Sequence, residues 1–240
     1  MNASRFTFDG SKTPWVSVGI ERTGDCTAHA GLLYRDTGGN LHFLHLAWHR
    51  ILRHEAYSGA FGCAIPVLDS ADELFLSGFC GRIWRAIQHD KIPFGLRHDP
   101  DVRFDLATGE VRFPVGATGL NCANMVLAVF RSSGNTLLDP SGWRTDRAED
   151  HKVQQEQVDL LLSRTPDEQA QGRVLQSDVG RVARIRPEEA AGACLEDSYP
   201  AAFTECEANG QFIRQRMEER HAASLSPSPE SGRSAPAPAK

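Results

Sequence analysis

Apolar positions in the first part of the chain fall into short runs broken by turn residues, the pattern of strands. Arg5–Phe8 and Trp15–Ile20 are two such runs, with a Pro-containing turn between them. His29–Tyr34 and Leu41–Trp48 follow, separated by Arg35-Asp36-Thr37-Gly38-Gly39-Asn40. That Asp/Gly/Asn cluster between apolar segments predicts a hairpin and an antiparallel pair. Residues 49–66 fit no single period, and Gly59 and Gly62 argue for irregular chain there. Arg103–Leu106 and Glu110–Phe113, joined around Thr108-Gly109, read as a second hairpin.

Elsewhere the period is helical. Ser70-Ala71-Asp72-Glu73 has the spacing of a capping box, ahead of Leu74, Phe75, Phe79, Ile83, Trp84 and Ile87, and predicts a helix over about Ala71–His89. A glycine turn at Gly119 leads into an apolar helix over about Asn121–Ser133, stopping near Gly134-Asn135. Ala148–Ser163 carries Val153, Val158, Leu161 and Leu162 on one face. Thr165-Pro166-Asp167-Glu168 combines an N-cap candidate, proline in the first turn and two acids, and Pro187-Glu188-Glu189 starts another helix. A last helix covers about Ala201–Ala222, weakened by Gly210. From Ser224 onward the chain is rich in Ser, Pro and Ala and lacks the apolar side chains that offset ordering entropy. These elements predict one α+β domain over residues 1–223 and a disordered tail over 224–240.

Composition narrows the function classes. With 240 residues, 40% hydrophobic and 24% charged, the chain suits a soluble globular protein with one substantial core. A net charge of −5 gives no basic excess for a nucleic-acid partner. The amino terminus has no basic region followed by an apolar run, and no apolar stretch approaches the roughly 18 residues of a membrane span. Cytoplasmic residence without a membrane partner is the expectation. The six cysteines have no framework spacing, so most are expected to be reduced, buried small hydrophobes.

Cys122 differs from the others because Asn121-Cys122 opens an apolar helix. Unpaired amide N–H groups and the positive end of the helix dipole favour thiolate there. An ordinary thiol has a pKa near 8.5, so thiol catalysis needs a histidine within hydrogen-bond reach to form an ion pair and later deliver a proton. His29, at the start of a strand, is the base candidate. His45, on the neighbouring strand of the hairpin, could orient His29. The Cys122 N–H and the Asn121 amide could serve an oxyanion. Trp48, which follows His45, could wall the cleft.

The histidine precedes the cysteine by roughly 90 residues. With His29-Ala30-Gly31-Leu32-Leu33-Tyr34, Leu44-His45-Leu46 and Asn121-Cys122 in that order, the chain resembles the circularly permuted papain-like cysteine hydrolases. That superfamily includes the lecithin–retinol acyltransferase group and bacterial cell-wall peptidase relatives. The resemblance covers about His29–Phe130. It implies an antiparallel sheet packed on the cysteine-bearing helix, and catalysis by Cys122 with His29 as base and His45 behind it. The acyltransferase group typically follows its cysteine with an acidic residue, His and an aromatic, where this chain has Ala123, Asn124 and Met125. That departure and the lack of an apolar anchor favour an amide or peptide bond, in a small-molecule or peptide substrate, over lipid acyl transfer. No cofactor is implied.

Two other classes compete with a cysteine hydrolase or acyl transferase. One is a non-catalytic papain-like module that binds a partner. The other is a zinc-stabilised structural protein, since Cys26-x2-His29 and His42-x2-His45 mimic a four-ligand spacing. Two-residue gaps on strands send the members of each pair to opposite faces, and Cys122 would have no part in it. By the same alternation, His45 facing His29 would put His42 outside. The charge run Arg144–Lys152 reads as a solvated helix face, and Trp84 and Trp143 as core.

Overall fold

The structure, a computed structural model, describes residues 1–23, 27–59, 61–87 and 91–225. Strands β1 (Phe6–Thr7), β2 (Val16–Thr23), β3 (Thr27–Arg35), β4 (Leu41–Trp48), β5 (Ile51–Ala56) and β6 (Gly62–Ala64) form one sheet in the order β1-β6-β2-β3-β4-β5. Every pairing in it is antiparallel. Helix α1 (Ser70–Ala86) follows, then a two-stranded ribbon of β7 (Arg103–Phe104) and β8 (Val111–Arg112). Helices α2 (Cys122–Ser132), α3 (Ala148–Leu162), α4 (Pro166–Leu175), α5 (Pro187–Ala193) and α6 (Phe203–Leu225) complete the described chain. This is a mixed α/β architecture with an antiparallel sheet and six α-helices among the described residues.

Strand alternation gives the central strands two different faces. Val16, Val18 and Ile20 of β2, Ala30 and Leu32 of β3, and Leu44 and Leu46 of β4 are buried in the main core with Phe79 and Ile83 of α1. The other face holds a smaller cluster of Leu33, Phe43, Phe61 and Cys63. Helix α2 lies on the main core and is buried on all sides from Ala123 to Phe130. A helix apolar all round belongs in an interior, and this one packs across β3 and β4. No described helix is long and apolar enough to cross a membrane.

Several expectations need correction. Residues 49–66, read as irregular, contain β5 and β6, because cross-strand pairing with β4 and β2 supplies what local pattern does not. The cap of α1 is Asp69, whose side chain accepts from the Asp72 amide at 2.8 Å, while Ser70 lies within the helix. That helix ends at Ala86 rather than His89, which lies outside the described residues, and Leu74 and Phe75 of its expected stripe are exposed. The last helix runs through Gly210 to Leu225; the tail beyond it, and Cys26, fall outside the described residues. In the run Arg144–Lys152, Arg147 and Asp150 are buried rather than solvated. Arg147 pairs with Asp150 at 2.6 Å and with Glu189, and Arg186 Nε reaches Asp150 at 2.8 Å, so the run anchors α3 to the segment before α5.

Candidate active site

The site forms where the sheet opens. The β3–β4 ladder covers Leu32↔Leu44 through Arg35↔Leu41 and stops there, so neither Ala30 nor His29 is paired with β4. The start of α2 abuts that opening. Its approach is fixed by a bridge between Phe94 and Leu120, with Gly95 N donating to Leu120 O at 3.0 Å and Leu120 N to Pro93 O at 2.9 Å. Gly119 has φ +138°, and a Cβ there would run into the Pro93 carbonyl, so only glycine makes this turn. Asn121 then caps the helix, its Oδ1 accepting from the Asn124 amide at 2.9 Å. Cys122 is the first residue of α2, half-buried, with its thiol at the positive end of the helix.

The His29 imidazole and the Ala30 main chain both act on the Cys122 thiol. Burial alone would raise the thiol pKa. The His29 charge, hydrogen bonding from His29 and Ala30 and, least of all, the Arg184 charge outweigh it and bring the thiol below its ordinary range. His29 shows the complementary shift. Burial opposes its charge, but the thiolate, the hydrogen bond to it and the Glu21 and Glu55 carboxylates raise its pKa on balance. Opposite shifts on a neighbouring thiol and imidazole mean that each favours the charged form of the other.

His29 Nε2 lies 2.6 Å from His45 Nδ1, which leaves Nδ1 of His29 for the sulfur. The rings meet edge to face with centroids 4.7 Å apart. Gly31 makes this possible: a Cβ there would lie 2.7 Å from His45 Cβ and 2.6 Å from the Phe43 ring. Phe43 stacks on His45 at 4.5 Å. Burial pushes His45 down to about 3, with the His29 and Arg53 charges adding to it, so His45 stays neutral at working pH.

The other nearby histidines have separate tasks. His42 points to the opposite face, where it hydrogen-bonds Asp36 at 2.9 Å and stacks on His54 at 4.5 Å. His49 Nδ1 accepts from Phe94 N at 3.2 Å and its Nε2 donates to Asp167 at 2.9 Å, tying the β4–β5 turn to the start of α4. Of the Cys26/His29/His42/His45 set, His29 and His45 share one face and His42 lies on the other, while Cys26 lies outside the described residues. Among the described residues, no group of three or more His, Cys, Asp or Glu side chains is placed to hold a metal ion.

A cleft of about 180 Å³ opens over the thiol, lined by His29, Trp48, Phe94, Asn121, Gln157 and Arg184 among others. Trp48 walls it as expected, its ring 5.1 Å from Phe94 and its Nε1 donating to Glu168 at 2.7 Å. Among the described lining residues Arg184 is the one side chain with a permanent charge, and it pairs with Asp150 at 3.2 Å. Composition and spacing gave no sign of Arg184, Gln157 or Phe94, which tertiary packing brings in from distant segments.

His98 is the other residue that local pattern did not single out. Its Nε2 accepts from Arg131 Nη2 at 2.8 Å, so the ring proton sits on Nδ1 and donates to Asn124 Oδ1 at 3.1 Å. The Asn124 amide group in turn donates to Arg97 O at 3.0 Å. Asn124, noted from sequence only as a departure from a family pattern, is thus the buried brace of the first turn of α2. Comparison with protein-family models, with curated proteins and with solved structures finds no match in any of the three.

Proposed function

We propose that the chain is a cysteine-dependent hydrolase or acyl transferase acting on an amide or peptide bond, built on a permuted papain-like core. The observation that carries this reading is the Cys122–His29–His45 alignment at the start of a buried helix, with thiol and imidazole shifted toward an ion pair. The chain order, histidine strand before cysteine helix, supports the permuted arrangement.

In this reading Cys122 Sγ attacks the acyl carbon, and the carbonyl oxygen becomes an oxyanion beside the first amides of α2. The Cys122 and Ala123 N–H groups come too early in the helix to have intrahelical acceptors. His29 gives its Nδ1 proton to the leaving nitrogen as the C–N bond breaks, leaving a thioester on Cys122. His29 then takes a proton from water, or from an acceptor amine, as that nucleophile attacks the thioester; the thiolate leaves and the imidazolium is restored. The small cleft suits a short acyl segment, since pockets for drug-sized ligands run to roughly 300–1,000 Å³.

The test is a panel of activated amides, short peptides and thioesters incubated with the full chain and read by intact mass. An acyl adduct on Cys122, with turnover lost by roughly 10³-fold or more in Cys122→Ala, is the expected result. Absence of both adduct and turnover across the panel, in folded protein, would remove the catalytic reading in favour of a binding module.

A further inference from the structure

We infer that Glu55 is a positioning residue behind the imidazole pair, fixing the tautomer of His45 so that its Nδ1 lone pair is turned toward His29. The consequence for catalysis rests on the proposed function, but the tautomer itself does not.

His45 is 5% exposed, and its Nε2 is fully buried with no hydrogen-bond partner. Leaving a buried imidazole nitrogen unmatched is costly, and water does not reach this one. The Glu55 carboxylate faces it, with Oε1 3.8 Å from Nε2. The ladder explains the placement: His45 pairs with Arg53 and Phe43 with Glu55, so all four side chains share one face of β4 and β5. Arg53 Nη1 lies 3.4 Å from the same Glu55 oxygen. Glu55 is half exposed, so a shift of its carboxylate by about an ångström closes the gap to His45 without disturbing the core.

A neutral imidazole has one N–H and one lone pair. With the proton on Nδ1, His45 would donate to His29 Nε2 and aim a bare lone pair at a carboxylate. His29 could then hold only its Nδ1 proton and could not become the imidazolium partner of the thiolate. With the proton on Nε2, His45 donates toward Glu55 and accepts from His29 Nε2–H. That arrangement leaves His29 Nδ1–H for Cys122. The carboxylate selects the second arrangement, and the protonation state of His29 follows from it. Among the described residues the charged groups facing the pair are Glu21 from β2, Arg53 and Glu55 from β5, the Cys122 thiol from α2 and Arg184 across the cleft. Glu21 sits opposite His29 in the β2–β3 ladder rather than opposite His45, so it carries the same charge in a different place.

The test uses the full chain labelled with ¹⁵N-histidine, where long-range proton–nitrogen spectra report which ring nitrogen carries the proton. The His45 signals are assigned by their loss in His45→Gln. Wild type and Glu21→Gln should show the Nε2–H tautomer of His45, whereas Glu55→Ala should populate Nδ1–H. The midpoint of Cys122 alkylation against pH should rise in Glu55→Ala by about one unit, tenfold in thiolate fraction below the midpoint. A His45 tautomer unchanged by Glu55→Ala, or already Nδ1–H in wild type, would overturn the inference. A tautomer that shifts while Cys122 stays unreactive at every pH would uphold Glu55 and defeat the catalytic reading instead.

Discussion

Acidification should destabilise the protein through His98, and the amount follows from the contacts of that ring. His98 is wedged between Arg131, which only donates, and Asn124. Burial first and the Arg131 charge second hold its pKa at about 4 against an ordinary value of 6.5, with the Asn124 hydrogen bond opposing them. The folded value lies below the unfolded one, so between them the unfolded chain binds more protons and stability falls as pH drops. At pH 5 the difference in proton binding amounts to about 1.5 pK units, or about 2 kcal/mol relative to pH 7.5. The matching perturbation is His98→Gln, which keeps an acceptor for Arg131 but does not titrate. Urea unfolding of both proteins at pH 7.5 and 5 measures the effect. The variant should start less stable at pH 7.5 yet lose about 2 kcal/mol less than wild type on acidification. Equal losses in the two proteins would refute the claim that His98 is locked neutral against α2.

Two further substitutions probe the start of that helix. Asn121→Ala should cost about 1 kcal/mol in urea unfolding, because the Asn124 amide loses its cap. Asn121→Asp should keep that stability but raise the alkylation midpoint of Cys122, since an added negative charge at the helix start disfavours the thiolate; an unchanged midpoint would count against the dipole argument. Arg184 lines the cleft and favours the thiolate by its charge, so Arg184→Gln should lower the rate ratio of iodoacetate to iodoacetamide at Cys122 by roughly fivefold, about 1 kcal/mol for a screened charge pair. A ratio that does not move would show that Arg184 leaves entering anions unaffected.

How much was legible in the sequence depended on whether the signal was local. The β3–β4 hairpin was readable because Asp36, Gly38 and Asn40 form its turn by themselves, with Asp36 accepting from the Gly38 and Asn40 amides. Thr165-Pro166-Asp167-Glu168 announced α4 through its cap candidate, proline and acids, and in the fold Thr165 and Glu168 close into a capping box. Cys122 was legible from its place at a helix start, and His29 and His45 from their hairpin strands and the motif order of the resembled family; the structure brings all three together. β5 was not legible, because its exposed face leaves Leu52 as its main apolar contribution to the core. Nor were Arg147 and Asp150, whose charges suggested a solvated helix until Arg184, Arg186 and Glu189 arrived from about 35 to 40 residues away to match them. Arg184 and His98 belong to the same class: their partners are set by tertiary packing, which one-dimensional spacing does not encode.

The central claim is that Cys122 and His29 form a thiolate–imidazolium pair, and the most direct test is the pH dependence of Cys122 alkylation resolved by peptide mass spectrometry. A single rate at neutral pH would mislead, because a lower thiol pKa raises the thiolate fraction while reducing its nucleophilicity. The account predicts reactivity that persists well below the ordinary thiol midpoint of about 8.5, and a profile that moves up to that midpoint in His29→Ala. A Cys122 that is inert, or that titrates near 8.5 with or without His29, would contradict it.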